Sequence, residues 1–377
     1  MLIRKSPDTI EKLKILSHDS QYDLACACAT NKDEHRTRSK EGKWIYPVVM
    51  ENGRTTFLFK TLLSNVCVNK CNYCPLRVNR DPKRCSLEPE EAARTFINYY
   101  NAGKVCGLFL SSGLIGTPDN TMEKINKTAA ILRRNNFRGY IHLKIMPGSS
   151  DAAIEQAISL ANAVSLNIET AGEEHFKKLS TNKDYLNDVI RPIKLISALT
   201  GNGSRYARVK QTTQFIVGAS DETDKDIVKY SWRLYKRLGL SRIYFSAYQR
   251  GMGERDLPGE NSSYSNDDIL MREHRLYQTD WLIRKYGFKE AEIPFDEKGN
   301  LYITIDPKEA WANQHMELFP VNINKAGREE LLRVPGFGYV TVDLILENRK
   351  NYGNLNSILS LGRLGKRLDK AAKYISF

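Results

Sequence analysis

The stretch Cys67-Val68-Asn69-Lys70-Cys71-Asn72-Tyr73-Cys74-Pro75 contains three cysteines spaced C-x3-C-x2-C. It follows an apolar run from Phe57 to Leu63, and three thiols on such a loop can converge on one metal centre. Soft thiolates select zinc or iron–sulfur clusters over hard cations. A closed zinc site and an ordinary four-iron cluster each need four ligands. Because this loop supplies three, a [4Fe–4S] cluster bound to it would keep one iron open to an external ligand.

Two other interpretations of these cysteines are open from spacing alone. A structural zinc site would recruit Cys85 as its fourth ligand, and the thiols could also be buried without any metal. Earlier in the chain, Cys26 and Cys28 lie beside alanines, a setting more typical of buried hydrophobic residues than of a second metal site.

Composition limits the class of protein. The chain has 377 residues, a net charge of +13 and a pI near 9.3, which favours a polyanionic partner or an acidic membrane surface. No stretch approaches the roughly 18 uninterrupted apolar residues of a membrane span. The N-terminus lacks the apolar core of a signal peptide. Seven cysteines, an odd number, indicate metal binding and free thiols rather than disulfides. The sequence therefore predicts a cytoplasmic protein that is not membrane-bound.

From Phe57 onward, apolar β runs alternate with helical segments, which predicts βαβ units and a parallel sheet in an α/β fold. Active sites of such sheets collect at the C-terminal ends of the strands. The predicted strands are Phe57–Leu63, Gly107–Ser112, Tyr140–Met146, Val164–Glu169, Thr212–Gly218 and Arg242–Tyr248. The predicted helices are Pro7–Leu16, Pro89–Asn101, Asp119–Asn136, Asp151–Leu160, Asp184–Ala198, Glu222–Leu238 and Asp267–Tyr286.

A second informative stretch lies near the C-terminus, where Val334-Pro335-Gly336-Phe337-Gly338 separates two helical segments. It is similar to the helix–hairpin–helix of DNA-binding and repair proteins, and residues 361–366 resemble a degenerate second copy. Gly336 and Gly338 would let backbone N–H groups approach a phosphate. From Val321 to Phe377 there are ten Lys or Arg and five Asp or Glu. A nucleic-acid-binding module is predicted here, although such a hairpin can also dock a protein.

The cysteine spacing, with an aromatic residue before the third cysteine, resembles the signature of the radical S-adenosylmethionine (SAM) enzymes. That resemblance implies a partial (β/α)6 barrel with a [4Fe–4S] cluster held by Cys67, Cys71 and Cys74. It also implies that SAM binds the open iron and is cleaved to a 5′-deoxyadenosyl radical. The implied divisions are an N-terminal helical and loop extension at 1–50, the barrel at 51–290, a linker at 291–320 and an all-α helix–hairpin–helix domain at 321–377.

The resemblance also implies where SAM is held. Ser111, Ser112 and Gly113 occupy the place of a glycine-rich element for the methionyl amine, with serines replacing two glycines. Asn167 and Glu169 would face the ribose, and Gln214 to Gly218 the adenine. Further implied contacts are the backbone of Tyr73 with the adenine edge and Lys144 with the SAM carboxylate or a substrate phosphate. The end of the last strand, Ser246 to Gln249, would lie near the substrate.

Several motifs in one order narrow the resemblance: Tyr22-Asp23, the cysteine loop, Leu110–Gly113, Ile141–Lys144, Arg272–Gln278 and the VPGFG turn. Together they resemble radical SAM proteins assigned to DNA modification or repair, whose genes accompany a uracil-DNA-glycosylase-like protein. DNA is then the expected substrate, with that protein and an electron donor such as flavodoxin or ferredoxin as partners. Modification of structured RNA such as tRNA, and a non-catalytic DNA-binding adaptor with a structural metal, are the alternatives.

Overall fold

The computed structural model describes residues 7–20, 42–49, 53–357 and 366–377. Cys26, Cys28 and most of the repeated hairpin at 361–366 therefore lie outside the described residues. None of the described helices is both long enough and apolar enough to span a bilayer.

The first unit is built on a seven-stranded sheet in the order β1 to β7. β1 pairs with β2 in the antiparallel sense, and the six strands β2 to β7 are parallel. This curled, half-barrel sheet confirms the predicted α/β fold with six parallel strands. The strands are β1 Ile45–Val49, β2 Thr55–Leu62, β3 Gly107–Ser111, β4 Tyr140–Lys144, β5 Ala163–Ser165, β6 Lys210–Val217 and β7 Arg242–Ala247.

Helices connect the parallel strands, and their starts follow ordinary capping chemistry. α2 begins at Pro89, where a missing N–H costs nothing, and α3 and α4 are capped by the hydroxyls of Thr117 and Ser150. The α-helices described between residues 9 and 285 are α1 Thr9–Asp19, α2 Pro89–Asn101, α3 Pro118–Arg134, α4 Asp151–Leu160, α5 Glu173–Leu179, α6 Arg191–Thr200, α7 Asp224–Leu238 and α8 Asn266–Lys285.

The two faces of the sheet differ in chemistry because alternate residues of a strand point to opposite sides. Phe59 of β2 packs on Phe96 and Tyr99 of α2, and this helix-covered face is apolar. The next residue, Lys60, faces the other way, and its ammonium lies 5.0 Å from the ring centroid of Phe109 on β3. The inner face of the half barrel is thus the polar one.

Two local features differ from the sequence prediction. β1 was missed because it contains Pro47, which lacks a donor and is tolerated only on a strand at the edge of a sheet, as here. The single helix predicted at Asp184–Ala198 is a π-helical turn, Tyr185–Ile190, that continues into α6. Pro192 has no N–H for an α-helical bond to residue 188, which explains the change of helix type.

The chain divides into two compact units, Met1–Glu222 with Arg233–Ile269, and Thr223–Trp232 with Leu270–Phe377. This division differs from the four segments predicted from the sequence. Residues 291–320, predicted as a linker, contain α9 Pro307–Gln314, whose buried Trp311 packs edge-on against Phe288. The remaining elements of the second unit are β8 Val321–Asn322, α10 Arg328–Arg333, α11 Tyr339–Tyr352, α12 Lys366–Ala371 and β9 Ile375–Ser376.

Candidate functional site

The cysteine loop lies between β2 and α2 and is pressed against the end of β3. Gly113 donates its N–H to Ser64 O at 2.7 Å, and Val68 donates to Leu114 O at 3.0 Å. A Cβ at position 113 would lie 2.3 Å from Val66 O and 3.2 Å from Cys67 Cβ. Glycine is therefore required at position 113 for the strand end to approach the loop this closely.

Two arginines fix the backbone of this loop from behind. Arg77 is buried and donates to Cys74 O at 2.9 Å, to Met252 O at 2.7 Å and to the carboxylate of Glu254 at 2.7 Å. Arg84 donates to the carbonyls of Asn65, Leu76, Arg77 and Arg80. Carbonyls that a loop would otherwise leave to solvent are thus satisfied by guanidinium groups, which holds the loop in one conformation.

The three thiols of the loop are free and act on one another electrostatically. Burial raises the pKa of Cys74 to about 12, and the charges of Cys71 and Cys67 add to this rise. Burial lowers the pKa of Lys183, but the charge of Cys71, with that of Glu169 and a hydrogen bond to Cys71, outweighs burial and raises it overall. Burial and mutual repulsion therefore disfavour thiolates in the free loop, and a bound cation that displaces the protons would offset both effects.

Glu169, just beyond β5, has the left-handed φ of 66°, which is uncommon for a residue other than glycine. Its backbone is held there by β6, because its N–H donates to Gln214 O at 3.0 Å and its carbonyl accepts from Ile216 N at 2.8 Å. The side chain is 8% exposed, and its carboxylate hydrogen-bonds the hydroxyl of Tyr73. Burial, followed by the charge of Glu169, raises the pKa of Tyr73 well above its ordinary value. Strain maintained in this way is common at functional sites.

The other residues predicted to hold SAM lie within strands of the same sheet or just beyond their ends. Asn167 donates to the Glu169 carboxylate at 3.4 Å, Gln214 is buried on β6 and Gly218 follows that strand with a φ of 79°. Lys144 ends β4, and Ser111 ends β3. The hydroxyl oxygen of Ser112 is buried and has no hydrogen-bond partner within the described part of the chain.

A small cavity of about 70 Å³ opens beside the third cysteine. Its walls come from the cysteine loop, from β6, from the end of β7 and from the segment that follows β7, namely Tyr73, Cys74, Pro75, Ile216, Ser246, Ala247, Tyr248, Gln249 and Met252. The strand end at Ser246 to Gln249, predicted to lie near substrate, therefore lies next to a predicted cluster ligand.

These features fit a three-cysteine [4Fe–4S] cluster with SAM better than they fit one metal ion. Across the described ranges, no three His, Cys, Asp or Glu side chains are grouped so that they could hold a single ion. In a cluster each thiolate binds a different iron, so the sulfurs need not meet at one point. The unpartnered hydroxyl of Ser112 and the carboxylate of Glu169 are polar groups suited to the amine and ribose of SAM.

Cys85 is unsuited to be a fourth ligand. Its thiol is buried behind the loop and contacts Lys12 O at 3.9 Å. Burial and the nearby charge of Asp19 raise its pKa to about 11. The groups that influence this thiol are Asp19, Lys12, Lys83 and Glu91 rather than the other cysteines.

In the second unit, the predicted glycine-rich turn joins α10 to α11. Gly336 has a φ of 87°, and Gly338 caps α11. The turn is held from below by Lys308, which is 7% exposed and donates to Phe337 O at 2.6 Å. Burial lowers the pKa of Lys308 to about 7.

Sequence reasoning missed the groups that act through tertiary contact. Lys183 follows α5 and meets Cys71 across more than 100 residues of chain, so no local pattern identifies it. Lys308 lies on α9, within the segment predicted as a linker. The two arginines offered a signal, since Arg77 and Arg84 follow closely on the third cysteine.

Comparison with known proteins identifies one matching family. Residues 61–230 match the model of the Radical SAM superfamily. No curated protein matches the chain.

Similar solved structures include the FeFe-hydrogenase maturase HydG from Carboxydothermus hydrogenoformans, with 17% identity, a TM-score of 0.45 and coverage of 60% of this chain and 51% of that one. Methylornithine synthase (PylB) has 15% identity, a TM-score of 0.44 and coverage of 59% and 63%. The structure of anSMEcpe with bound AdoMet has 13% identity and a TM-score of 0.40, and the match covers 60% of this chain and 62% of that one. The chain thus covers between about half and two thirds of each of these proteins.

The matched segment begins at the end of β2 and runs into α7, so it contains the cysteine loop, Glu169 and the four parallel strands β3 to β6. Residues 61–230 are thus similar to the Radical SAM superfamily, whose members are enzymes that bind a [4Fe–4S] cluster and SAM.

Proposed function

We propose that the chain cleaves SAM reductively and uses this chemistry to modify or repair a nucleotide in DNA. The observation that carries the first half is the meeting of the cysteine loop with the strained Glu169 and with Lys183 at the C-terminal edge of the sheet. When bound, the cluster and SAM together supply a carbon radical able to abstract a hydrogen atom from a substrate.

The chain's own residues bind and orient these groups. Cys67, Cys71 and Cys74 hold the cluster as thiolates, so cluster binding releases protons from this loop. Lys183 offsets the negative charge that remains on the sulfurs. Glu169 accepts hydrogen bonds from the ribose hydroxyls, and its strained backbone sets the direction of its carboxylate before the ligand arrives.

The inner face of the half barrel supports an anionic substrate. The seven described strands of the sheet contain no Asp or Glu. Their cations are Lys60 and, at the C-terminal end of β4, Lys144, together with Lys210 and Arg242 at the N-terminal ends of β6 and β7. His142 adds a further polar group, which hydrogen-bonds Ser165 at 2.9 Å. A surface of this sign attracts phosphate esters, and the chain's net charge of +13 acts in the same direction.

The α10–α11 pair supports a nucleic acid rather than a small phosphate ester. Its turn has the left-handed Gly336 and places a helix start at Gly338, an arrangement suited to backbone N–H contacts with phosphate. Arg349 and Lys350 add positive charge on α11. Phosphate contacts position a nucleic acid without specifying its sequence, so base choice would fall to the barrel mouth. A base in a duplex would have to leave its stack to reach it.

DNA is preferred to RNA because of the resemblance to the DNA-modification proteins, and the same resemblance makes a uracil-DNA-glycosylase-like protein the expected partner. The deciding experiment compares nucleosides from cells with and without the chain by mass spectrometry. With purified protein, dithionite and SAM, 5′-deoxyadenosine formation is measured with duplex DNA, single-stranded DNA and tRNA. We expect DNA to stimulate it and a DNA nucleoside to change mass.

Matched variants separate the two halves of the proposal. Gly336→Val should weaken nucleic-acid binding about equally for all sequences and flatten its dependence on salt, while SAM cleavage without substrate persists. Cys71→Ala should abolish cleavage and leave nucleic-acid binding intact. If tRNA but not DNA stimulates 5′-deoxyadenosine formation, the substrate is RNA rather than DNA. A wild-type protein that binds DNA but neither binds nor cleaves SAM would be an adaptor.

A further inference from the structure

The outer side of the cysteine loop is exposed at every second residue. Val66, Val68 and Lys70 are exposed, whereas Cys67 is partly buried and Cys71 is buried. The loop therefore presents its cysteines to the inside of the unit and the intervening side chains to solvent. Val68 and Lys70 each adjoin a cysteine in the sequence, so a protein that touches them lies against the cysteine loop.

A third valine joins this surface from the segment that follows the loop. Val78 donates its N–H to Asn69 O at 3.0 Å, which brings it alongside Val68 and Lys70. Val66, Val68 and Val78 are 36%, 45% and 53% exposed. Exposed aliphatic side chains that lie together within a polar surround are typical of a protein-docking site.

The surround of these valines is basic. Lys70, Arg80 and Lys83 are exposed, and Asp81 is the one acidic residue between positions 66 and 84. Glu254 approaches the same region, but it forms an ion pair with Arg77 at 2.7 Å. We call Val66, Val68, Val78, Lys70, Arg80 and Lys83 the outer loop patch. Its charge is complementary to an acidic partner.

We propose that the outer loop patch is the docking surface of a small acidic one-electron carrier protein with a flavin or iron–sulfur centre. This inference rests on the proposed function, because the cluster must be reduced before SAM is cleaved. The reduced carrier loses one electron, the cluster accepts that electron, and neither proton nor bond is transferred in the step.

The composition of the patch favours a protein over a nucleic acid. It combines three exposed aliphatic residues with three exposed cations, and apolar contacts flanked by charged ones are usual in interfaces between proteins. Single-stranded nucleic acids are instead held by aromatic side chains on which bases stack. Electron-transfer complexes are small and weak, which suits a patch of six residues.

The test compares charge reversal within the patch and outside it. Lys70→Glu with Lys83→Glu reverses two rim charges. Lys194→Glu with Lys229→Glu changes the net charge equally on α6 and α7, which contribute nothing to the patch. Iron-loaded proteins are titrated with purified flavodoxin and with [2Fe–2S] ferredoxin by calorimetry at several salt concentrations. SAM cleavage is driven in parallel by each carrier and by dithionite.

We expect the patch variant to weaken binding of at least one carrier about tenfold at low salt and to slow carrier-driven cleavage. Its iron content and dithionite-driven cleavage should match the wild type, and the control variant should match it in every measurement. A third variant, Val68→Ser, should weaken binding without altering its salt dependence.

Carrier binding that is equal in the patch and control variants overturns the inference. So does a loss of DNA affinity in the patch variant with unchanged carrier affinity, since the patch would then contact nucleic acid. If dithionite fails to drive SAM cleavage in the wild type, the proposed function fails, and carrier binding still decides the docking surface by itself.

Discussion

Replacing Gly113 by alanine should loosen the cysteine loop and reduce its capacity for iron. The new Cβ would lie 2.3 Å from Val66 O, and since both are attached to backbone, strand end and loop must separate by roughly 1 Å. Overpacking of this kind costs about 1–3 kcal/mol, and weakening the Gly113–Ser64 and Val68–Leu114 hydrogen bonds adds about 0.5–1.5 kcal/mol each.

A loss of about 2 kcal/mol, the low end of this range, corresponds to a fall in Tm of about 4–8 °C for a unit of this size. Cys67 Cβ would be 3.2 Å from the added methyl, so one of the three ligands moves as well. The assay combines thermal unfolding with iron and sulfide content after anaerobic reconstitution. We expect both to fall in Gly113→Ala.

Gly327→Ala is the matched control, because its φ is −77° and the nearest atom to its Cβ would be a flexible carboxylate oxygen at 3.6 Å. It should change Tm little and leave iron content unchanged. If Gly113→Ala has the same Tm and the same iron content as the wild type, the close approach of β3 does not fix the loop, and our account of this glycine is wrong.

Three further outcomes are expected. Cys71→Ala should lose the cluster and Cys85→Ala should retain it, as measured by iron per chain; stoichiometric zinc lost with Cys85 would contradict this. Glu169→Gln should weaken SAM binding about tenfold in calorimetry, because a charge-assisted hydrogen bond to ribose is lost while the cluster remains. Burial lowers the pKa of Lys308 to about 7 in the folded protein, whereas a lysine in the unfolded chain has a pKa of about 10.4. Between about pH 7 and about pH 10, the unfolded chain therefore binds one proton that the folded chain does not. Stability of the wild type should therefore rise from about pH 7 to about pH 10, by at most about 1.4 kcal/mol per pH unit, and denaturant unfolding of Lys308→Met should lack this rise.

The parts of the fold that could be predicted are those with a local pattern. β3 is a short apolar run between the helices α2 and α3, and Glu169 could be placed at the edge of the sheet from the order of strands alone. The left-handed backbone of Glu169 could not be predicted, because it is imposed by two hydrogen bonds with β6. Pro47 argued against a strand, although an edge position tolerates it.

In the candidate site, too, residues in a local pattern could be predicted, whereas residues brought together by the fold could not. The cysteines are recognisable because they occur within eight residues, whereas Lys183 joins them only through the fold. Gly113 was expected to serve SAM with its backbone. The structure adds a packing reason for that glycine, which depends on how closely a strand end and a loop approach.

The fastening of the cysteine loop by Arg77 has a consequence for the order of assembly. Arg77 donates to the carbonyl of Met252 and to the carboxylate of Glu254. Arg80 donates to the carbonyl of Gly251. These residues emerge from the ribosome 177 to 180 residues after the third cysteine, Cys74. A nascent chain that has exposed only its cysteines therefore lacks the groups that set their spacing. We therefore expect iron to be inserted only after the chain has been synthesised past β7, and a chain truncated before β7 should offer its thiols to oxidation or to zinc instead.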